Sequence, residues 1–289
     1  MTRRTSDLLP LTTALAAIAV VATLVFVRYP SPPSSPRPMP PVSLPAPVVY
    51  PNTYDSIQQF MEGIYAADRD VEPSLDHRIR GVVVPHHLVA TPAVASGVRM
   101  LQGQRFKRVL LLSPDHFHRC RTTLCTVDGV YRTAFGEVRA SRDTLGALRA
   151  SPYVTEDADL FRTEHGIHAV VPFFAHYFPG TPVTPLVLSQ RIPWRSDRAA
   201  LLELLASAID DETVLVVSSD FSHYLPLAAA EEMDGRTAES LFAKDLDGIA
   251  ALDDPGQSDC PGCLWLLSAL AAERGFYNPS VIMHTNSAG

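Results

Sequence analysis

This chain has little of what usually settles a protein's class at a glance. Four cysteines in 289 residues are too few for a disulfide scaffold at this size. Lys and Arg number 24 against 31 Asp and Glu, a net charge of -7 with no basic stripe. Binding nucleic acid requires clustered cations to neutralise phosphates, so a nucleic-acid partner is excluded. There is no HExxH pair and no pair of CxxC knuckles, which removes two familiar zinc signatures. No internal repeat stands out beyond the strand-end pattern described below. What is present is apolar: 46% hydrophobic against 19% charged residues, enough for one large domain or two small ones.

Two segments precede the globular part. Leu8 to Val27 is a twenty-residue run without a charge, preceded by Arg3 and Arg4. As a helix it would reach about 30 Å, the thickness of a bilayer core. Residues 1–29 are therefore expected to form a transmembrane signal anchor. Positive residues before the span place its N-terminus in the cytoplasm and the domain outside. A cleaved signal peptide is the competing reading, although Arg28-Tyr29-Pro30 gives no small-residue cleavage site. Residues 30–51 hold ten of the 25 prolines. Such sequence favours extended polyproline II and reads as a semi-rigid spacer.

Residues 52–289 alternate β-branched runs with helical patterns. Helices are expected over Tyr54–Asp68, Thr91–Gln104, Ser141–Ala150, Glu164–Phe178 (kinked or restarted at Pro172), Ser196–Ile209, Ala228–Phe242 and Leu264–Arg274. Strands are expected over Gly81–Pro85, Lys107–Ser113, Leu124–Tyr131, Val183–Leu188, Thr213–Ser218 and Val281–His284. This alternation predicts an α/β fold, a three-layer α/β/α sandwich with a mainly parallel central sheet.

Three strands end alike. Val82-Val83-Val84 runs into Pro85-His86-His87. Val109 to Leu112 runs into Ser113-Pro114-Asp115-His116. Val214 to Val217 runs into Ser218-Ser219-Asp220-Phe221-Ser222-His223. The carboxyl ends of strands are where open α/β sheets bind ligands. A single loop histidine is more often structural than ligating. Three strand ends with the same feature reverse that for His86, His116 and His223. Imidazole and thiolate donors suit Fe, Cu, Zn and Ni, and a catalytic metal needs about three protein ligands and an open position. His86 and His116, with either His223 or a cysteine, make such a set. Asp115, Glu164 and Asp220 can orient the rings. Asp220 can equally cap the following segment, and Glu164 with His165 can simply open a helix. His87 and His118 are read as pocket walls, His77 and His176 as surface residues.

The cysteines leave alternatives open. Cys260-Pro261-Gly262-Cys263 sits at an expected helix N-terminus, where thiol pKa falls. It reads as one metal thiolate from Cys260, as a redox pair, or as a plain disulfide. Cys120 and Cys125 flank a turn and are expected to pair in an oxidising compartment.

Taken together these motifs resemble a family. Val83-Val84-Pro85-His86-His87, Leu112-Ser113-Pro114-Asp115-His116, Val130 to Gly136, Glu164-His165-Gly166-Ile167-His168, Ser218 to Tyr224, Cys260 and Asn286-Ser287-Ala288-Gly289 fall in the order seen in Memo-like proteins, including the AmmeMemoRadiSam system protein B. The resemblance runs from about Tyr54 to the last residue. It implies a fold similar to LigB-type class III extradiol dioxygenases. It also implies a metal site of His86, His116 and Cys260, with Glu164, His165, Asp220 and His223 lining the pocket. Fe(II) or Cu is the implied metal, with Zn also compatible, and redox activity or phosphopeptide recognition the implied role. The sequence departs from the family where Pro-His-Ala-Gly-Tyr becomes Pro85-His86-His87-Leu88-Val89, and where Cys263 adds a thiol beside Cys260.

The expectation is thus a membrane-anchored metalloprotein, redox or dioxygenase-like. His223 or His165 serves as acid or base, with Asp220 and Glu164 beside it. A small molecule or peptide occupies the strand-end pocket. A non-catalytic peptide- or anion-binding module and a metal-dependent hydrolase remain as alternatives.

Overall fold

A computed structural model describes residues 46–51, 53–54, 56–69, 78–253 and 256–286. The chain divides into Met1–Pro45 and Ala46–Gly289, and every element below belongs to the second unit. The strands are β1 (Val48–Tyr50), β2 (Gly81–Val84), β3 (Arg108–Pro114), β4 (Leu124–Thr126), β5 (Gly129–Thr133), β6 (Gly136–Arg139), β7 (Val154–Glu156), β8 (Val183–Leu188) and β9 (Thr213–Ser218). The helices are α1 (Ile57–Arg69), α2 (Thr91–Arg99), α3 (Arg142–Arg149), α4 (His165–His168), α5 (Val171–Tyr177), α6 (Arg198–Ala208), α7 (Leu227–Ala243), α8 (Leu246–Ala250) and α9 (Pro261–Glu273).

The larger sheet has six strands in the order β2-β9-β3-β8-β4-β7, and a second has three in the order β1-β5-β6. In the larger sheet β2, β9, β3 and β8 are parallel neighbours. Alternation along β3 sends Val109 and Leu111 into one core with Phe60, Val94, Phe173 and Val216. Leu110 and Leu112 enter the other with Leu186, Leu205, Val217 and Leu264. A strand buried on both faces reads as an unbroken apolar run, which is how β3 and β9 read.

Two points of the expected architecture are corrected. First, a single, mainly parallel sheet was expected, but the strands form two sheets and both are mixed. β4 lies antiparallel to β8, and β6 lies antiparallel to β5. The connection from Pro114 to Leu124 is shorter than the dozen or more residues a parallel crossover needs, so the chain returns antiparallel. The expected Leu124–Tyr131 strand accordingly splits into β4 and β5, one in each sheet. Second, among the described residues no helix is long and apolar enough to cross a membrane. The transmembrane helix, and the membrane-anchored, extracytoplasmic placement drawn from it, are withdrawn on that finding. The expected span at residues 8–27 lies outside the described residues, as do His77 and most of the proline-rich segment.

Smaller differences have local causes. The Glu164–Phe178 helix is two helices, α4 and α5, with Pro172 in the first turn of the second, where its missing N–H costs nothing. Ser141 caps α3 by accepting from the Thr144 N–H. Val281–His284 forms no strand. Leu111, fully buried at the centre of β3, tests the core. Leu111→Ala is expected to lower unfolding free energy by about 2–5 kcal/mol, read from the midpoint of a urea or guanidinium transition.

Candidate functional site

Because β2, β9 and β3 are adjacent and parallel, their carboxyl ends share one edge. His86 follows β2, Ser218-Ser219-Asp220 closes β9, and His116 follows β3. α4 packs against β3 and brings Glu164 and His165 to the same edge. Gly166 makes that approach possible, since a Cβ there would stand 2.1 Å from Ser113 Oγ and 3.2 Å from His116 Cε1. The turn before α9 supplies Asp259, whose backbone N–H donates to the Asp220 carbonyl at 3.2 Å.

Three side-chain atoms converge there. His86 Nε2 lies 3.0 Å from His116 Nε2 and 3.1 Å from Asp259 Oδ2. His116 Nε2 lies 3.5 Å from Asp259 Oδ2. Asp220 Oδ2 is 3.5 Å from His86 Nε2, and its Oδ1 accepts the His86 backbone N–H at 3.0 Å. His165 packs against His116 with ring centroids 3.7 Å apart and the planes tilted by 39°. Two sets of possible ligand atoms, His86-His116-His165 and His86-Asp220-Asp259, each fall within 4.8 Å.

The other nitrogen of each ring decides which way the rings work. Ser218 Oγ donates its hydrogen to the Gly166 carbonyl at 2.7 Å. Its 3.0 Å contact with His86 Nδ1 must then be one in which Nδ1–H donates. Glu164 Oε1, 2.5 Å from His116 Nδ1, takes that ring's hydrogen in the same way. In the neutral tautomer both Nε2 atoms keep their lone pairs, and Asp259 Oδ2 stands 3.1 and 3.5 Å from them. This is how ligating histidines are oriented by the groups behind them.

The charges agree. Burial works against protonating His86, but Asp259 and Asp220 outweigh it and raise its pKa. Burial opposes protonation of His116 too, yet Asp259 and Glu164 lift it to about 9. Burial pushes the Asp259 carboxyl up, while hydrogen bonds from His116, His86 and Ser219 hold it below the usual carboxylate range. His165 goes the other way: burial, then His116 and His86, lower it to about 4. The cluster therefore attracts positive charge at one point, between the two Nε2 atoms and Asp259.

Those donors fit a metal ion. Ligands at about 2.1 Å around one ion, at tetrahedral or cis-octahedral angles, stand about 3.0–3.4 Å from one another. The donor set is two imidazoles and a carboxylate.

The expected residues fare differently. His86, His116, His165, Glu164 and Asp220 come together. Glu164 both caps α4, by accepting from the Gly166 N–H, and holds His116. Cys260 is corrected: its Sγ is bonded to Cys263, so it offers no thiolate, and Asp259 faces the histidines instead. His223 belongs to neither donor group, and its Nδ1 lies 2.8 Å from the Phe221 carbonyl. Asp115 turns away as well, accepting from the Arg119 and Cys120 N–H groups. Buried His168 bonds the Phe161 carbonyl at 2.9 Å and is structural. Asp259 was missed by sequence reasoning, which passed over an acid adjoining the cysteine motif. Ser218 and Ser219 lay inside a strand-end motif, but nothing marked a hydroxyl there as the group that orients a ring.

An α/β protein with a His-His-carboxylate cluster at the carboxyl edge of its sheet is the class that fold and site define. The comparisons name the family. The model for Memo-like protein matches residues 44–262, and the chain belongs to that family. Among relatives named MEMO1 family protein, one from Pyrobaculum arsenaticum is 27% identical over 228 residues, 74% of this chain and 79% of its own length. One from Caldivirga maquilingensis is 24% identical over 216 residues, 72% of this chain and 77% of its own. The crystal structure of an uncharacterized Escherichia coli K12 protein aligns at TM-score 0.45 and 19% identity, covering 68% of this chain and 89% of that one.

A pH dependence follows for the metal-free protein. The His116 pKa in the fold, about 9, is above its ordinary 6.5. The stability it contributes is complete below pH 6.5 and is lost as pH rises through 9. His165, lowered to about 4 from 6.5, acts below that window. The urea midpoint of apo-protein is expected to fall between pH 6.5 and 9, and Glu164→Gln is expected to flatten the fall.

Proposed function

We propose that this Memo-like protein is a metal-dependent oxidoreductase whose ion is held by His86, His116 and Asp259. The observation that carries the reading is the convergence of His86 Nε2, His116 Nε2 and Asp259 Oδ2 at 3.0–3.5 Å. Each ring's second nitrogen is tied back to Ser218 or Glu164. Two histidines and one carboxylate with open positions suit non-haem Fe(II) and its oxygen chemistry, which such an ion supplies when bound. Copper, favoured by a thiolate donor, loses its argument with Cys260 in a disulfide.

The chain's own groups do the rest. Glu164 and Ser218 fix the rings. Asp220 and Ser219 hold the His86 backbone and the Asp259 carboxylate. His165, kept neutral, offers a small-molecule substrate a hydrogen bond without adding charge at the half-buried mouth of the site.

One observation favours a second reading. A carboxylate in place of the thiolate is also a donor set for zinc and water activation, which would make the protein a hydrolase. Metal analysis by mass spectrometry on anaerobically purified protein separates the possibilities. About one Fe per chain is expected, lost in His86→Ala/His116→Ala and in Asp259→Ala, and kept in Cys260→Ser/Cys263→Ser. Equal metal in wild type and the double histidine variant would overturn the site. Loss in the cysteine variant alone would return the third position to Cys260. Zinc without oxygen consumption would favour the hydrolase.

A further inference from the structure

A groove of about 900 Å³ is lined by His118, Arg119, Arg121, Arg191, Asp157 and Asp159, among others. We propose that this groove binds an anionic group, a carboxylate or phosphate, on the substrate, and that Arg121 and Arg191 are its principal contacts. The proposal extends the preceding section and rests on it only for the claim that the anion belongs to the substrate.

Charge is the first argument. The chain has more acids than bases, and many of its arginines are paired: Arg80 with Asp211, Arg108 with Asp210, Arg149 with Glu156, Arg236 with Glu232. Among the described residues neither the Arg121 nor the Arg191 guanidinium has a carboxylate partner. The two acids in the groove are already engaged. Asp157 Oδ1 accepts the Asp159 and Leu160 N–H groups at 3.0 Å each, and Asp159 pairs with Arg162 at 3.0 Å. Guanidinium forks match carboxylate and phosphate oxygens two at a time.

Construction is the second. The backbones that carry these side chains are fixed. Buried Asp115 accepts from the Arg119 N–H at 3.1 Å and the Cys120 N–H at 2.8 Å. Cys120 is bonded to Cys125 on β4. Ser189 Oγ reaches the Cys120 carbonyl at 3.5 Å and accepts from the Arg191 and Ile192 N–H groups at 3.3 Å. The loop holding Arg121 and the loop holding Arg191 are thus stitched together. His118 adopts a positive φ of 54° in the tight turn, a conformation that persists in non-glycine residues only where the surroundings impose it. Rigid backbone beneath uncommitted guanidinium groups is what a preorganised anion site requires.

Position is the third. Arg119 is three residues beyond His116, and its Nη1 reaches Thr163 Oγ1 at 3.4 Å, next to Glu164. Gln190, adjacent to Arg191, donates its side-chain amide to the Asp259 carbonyl at 2.5 Å. The loop that follows His116 thus lines the groove, and the loop of Arg191 across from it is tied to the Asp259 backbone through Gln190. A substrate anchored by its anion there presents its other end to the cluster.

The test titrates the full chain at low ionic strength with inorganic phosphate and, separately, with succinate, followed by calorimetry. Saturable binding of at least one is expected; phosphate alone identifies a phosphoryl group and succinate alone a carboxylate. Arg121→Gln/Arg191→Gln is expected to weaken it at least about tenfold, as loss of charge-assisted hydrogen bonds does. Arg121→Lys/Arg191→Lys should recover part of the affinity. Metal content and thermal midpoint of the Gln variant should match wild type. The anion should still bind His86→Ala/His116→Ala, so failure of the metal reading leaves this result standing. No saturable binding of either anion, or undiminished binding by the Gln variant, would overturn the proposal. So would loss of binding in the histidine variant alone, which would put the anion on the cluster.

Discussion

The site depends on one constraint, the parallel register of β2, β9 and β3. Val84 pairs with Ser218 and Leu112 with Val217. The residues just beyond these pairs must therefore emerge side by side on one edge. No loop search is needed to bring His86, His116 and Asp220 within reach. The sheet's hydrogen bonds and two apolar cores hold the three strand ends in place, and those terms resist distortion because interiors pack densely.

On that frame, direction comes from hydrogen bonds one shell back. Ser218 spends its hydrogen on the Gly166 carbonyl and so compels His86 to donate from Nδ1. Glu164, fully buried, does the same for His116. Such contacts give precision rather than bulk stability: each net hydrogen bond adds about 1 kcal/mol, but together they tie up Nδ1 of each ring and leave Nε2 as the free donor atom. Gly166 matters for the same reason, since any side chain there would push α4 off Ser113 and His116. The carboxylates then make the point between the rings favourable for a cation, which links geometry to chemistry.

Much of this was legible beforehand. β3, β8 and β9 read as apolar runs because they are covered on both faces. The strand-end motifs marked His86 and His116, and Ser141 marked the start of α3. What was not legible depended on distant segments. The antiparallel return of β4 follows from a short connection, but its neighbour β8 is chosen some sixty residues later in the chain (Cys125 opposite Val187). His223 carries the same strand-end signal as His86, yet its loop runs on to Tyr224, at a positive φ of 61°, and its ring turns to its own backbone. Asp259 and Cys260 are neighbours, and which of them meets the histidines depends on the start of α9, where Cys260 bonds Cys263.

The amino-acid sequence by itself determined the α/β alternation, the strand ends that carry histidine, and the family, because these rest on local period and on short ordered motifs. Only the tertiary structure decided the split into two mixed sheets, the choice of Asp259 over Cys260, the tautomers of both rings and the stitching of Arg121 to Arg191 through Ser189. Each of these is a contact between segments far apart in the chain, and its free energy exists only once both segments are in place.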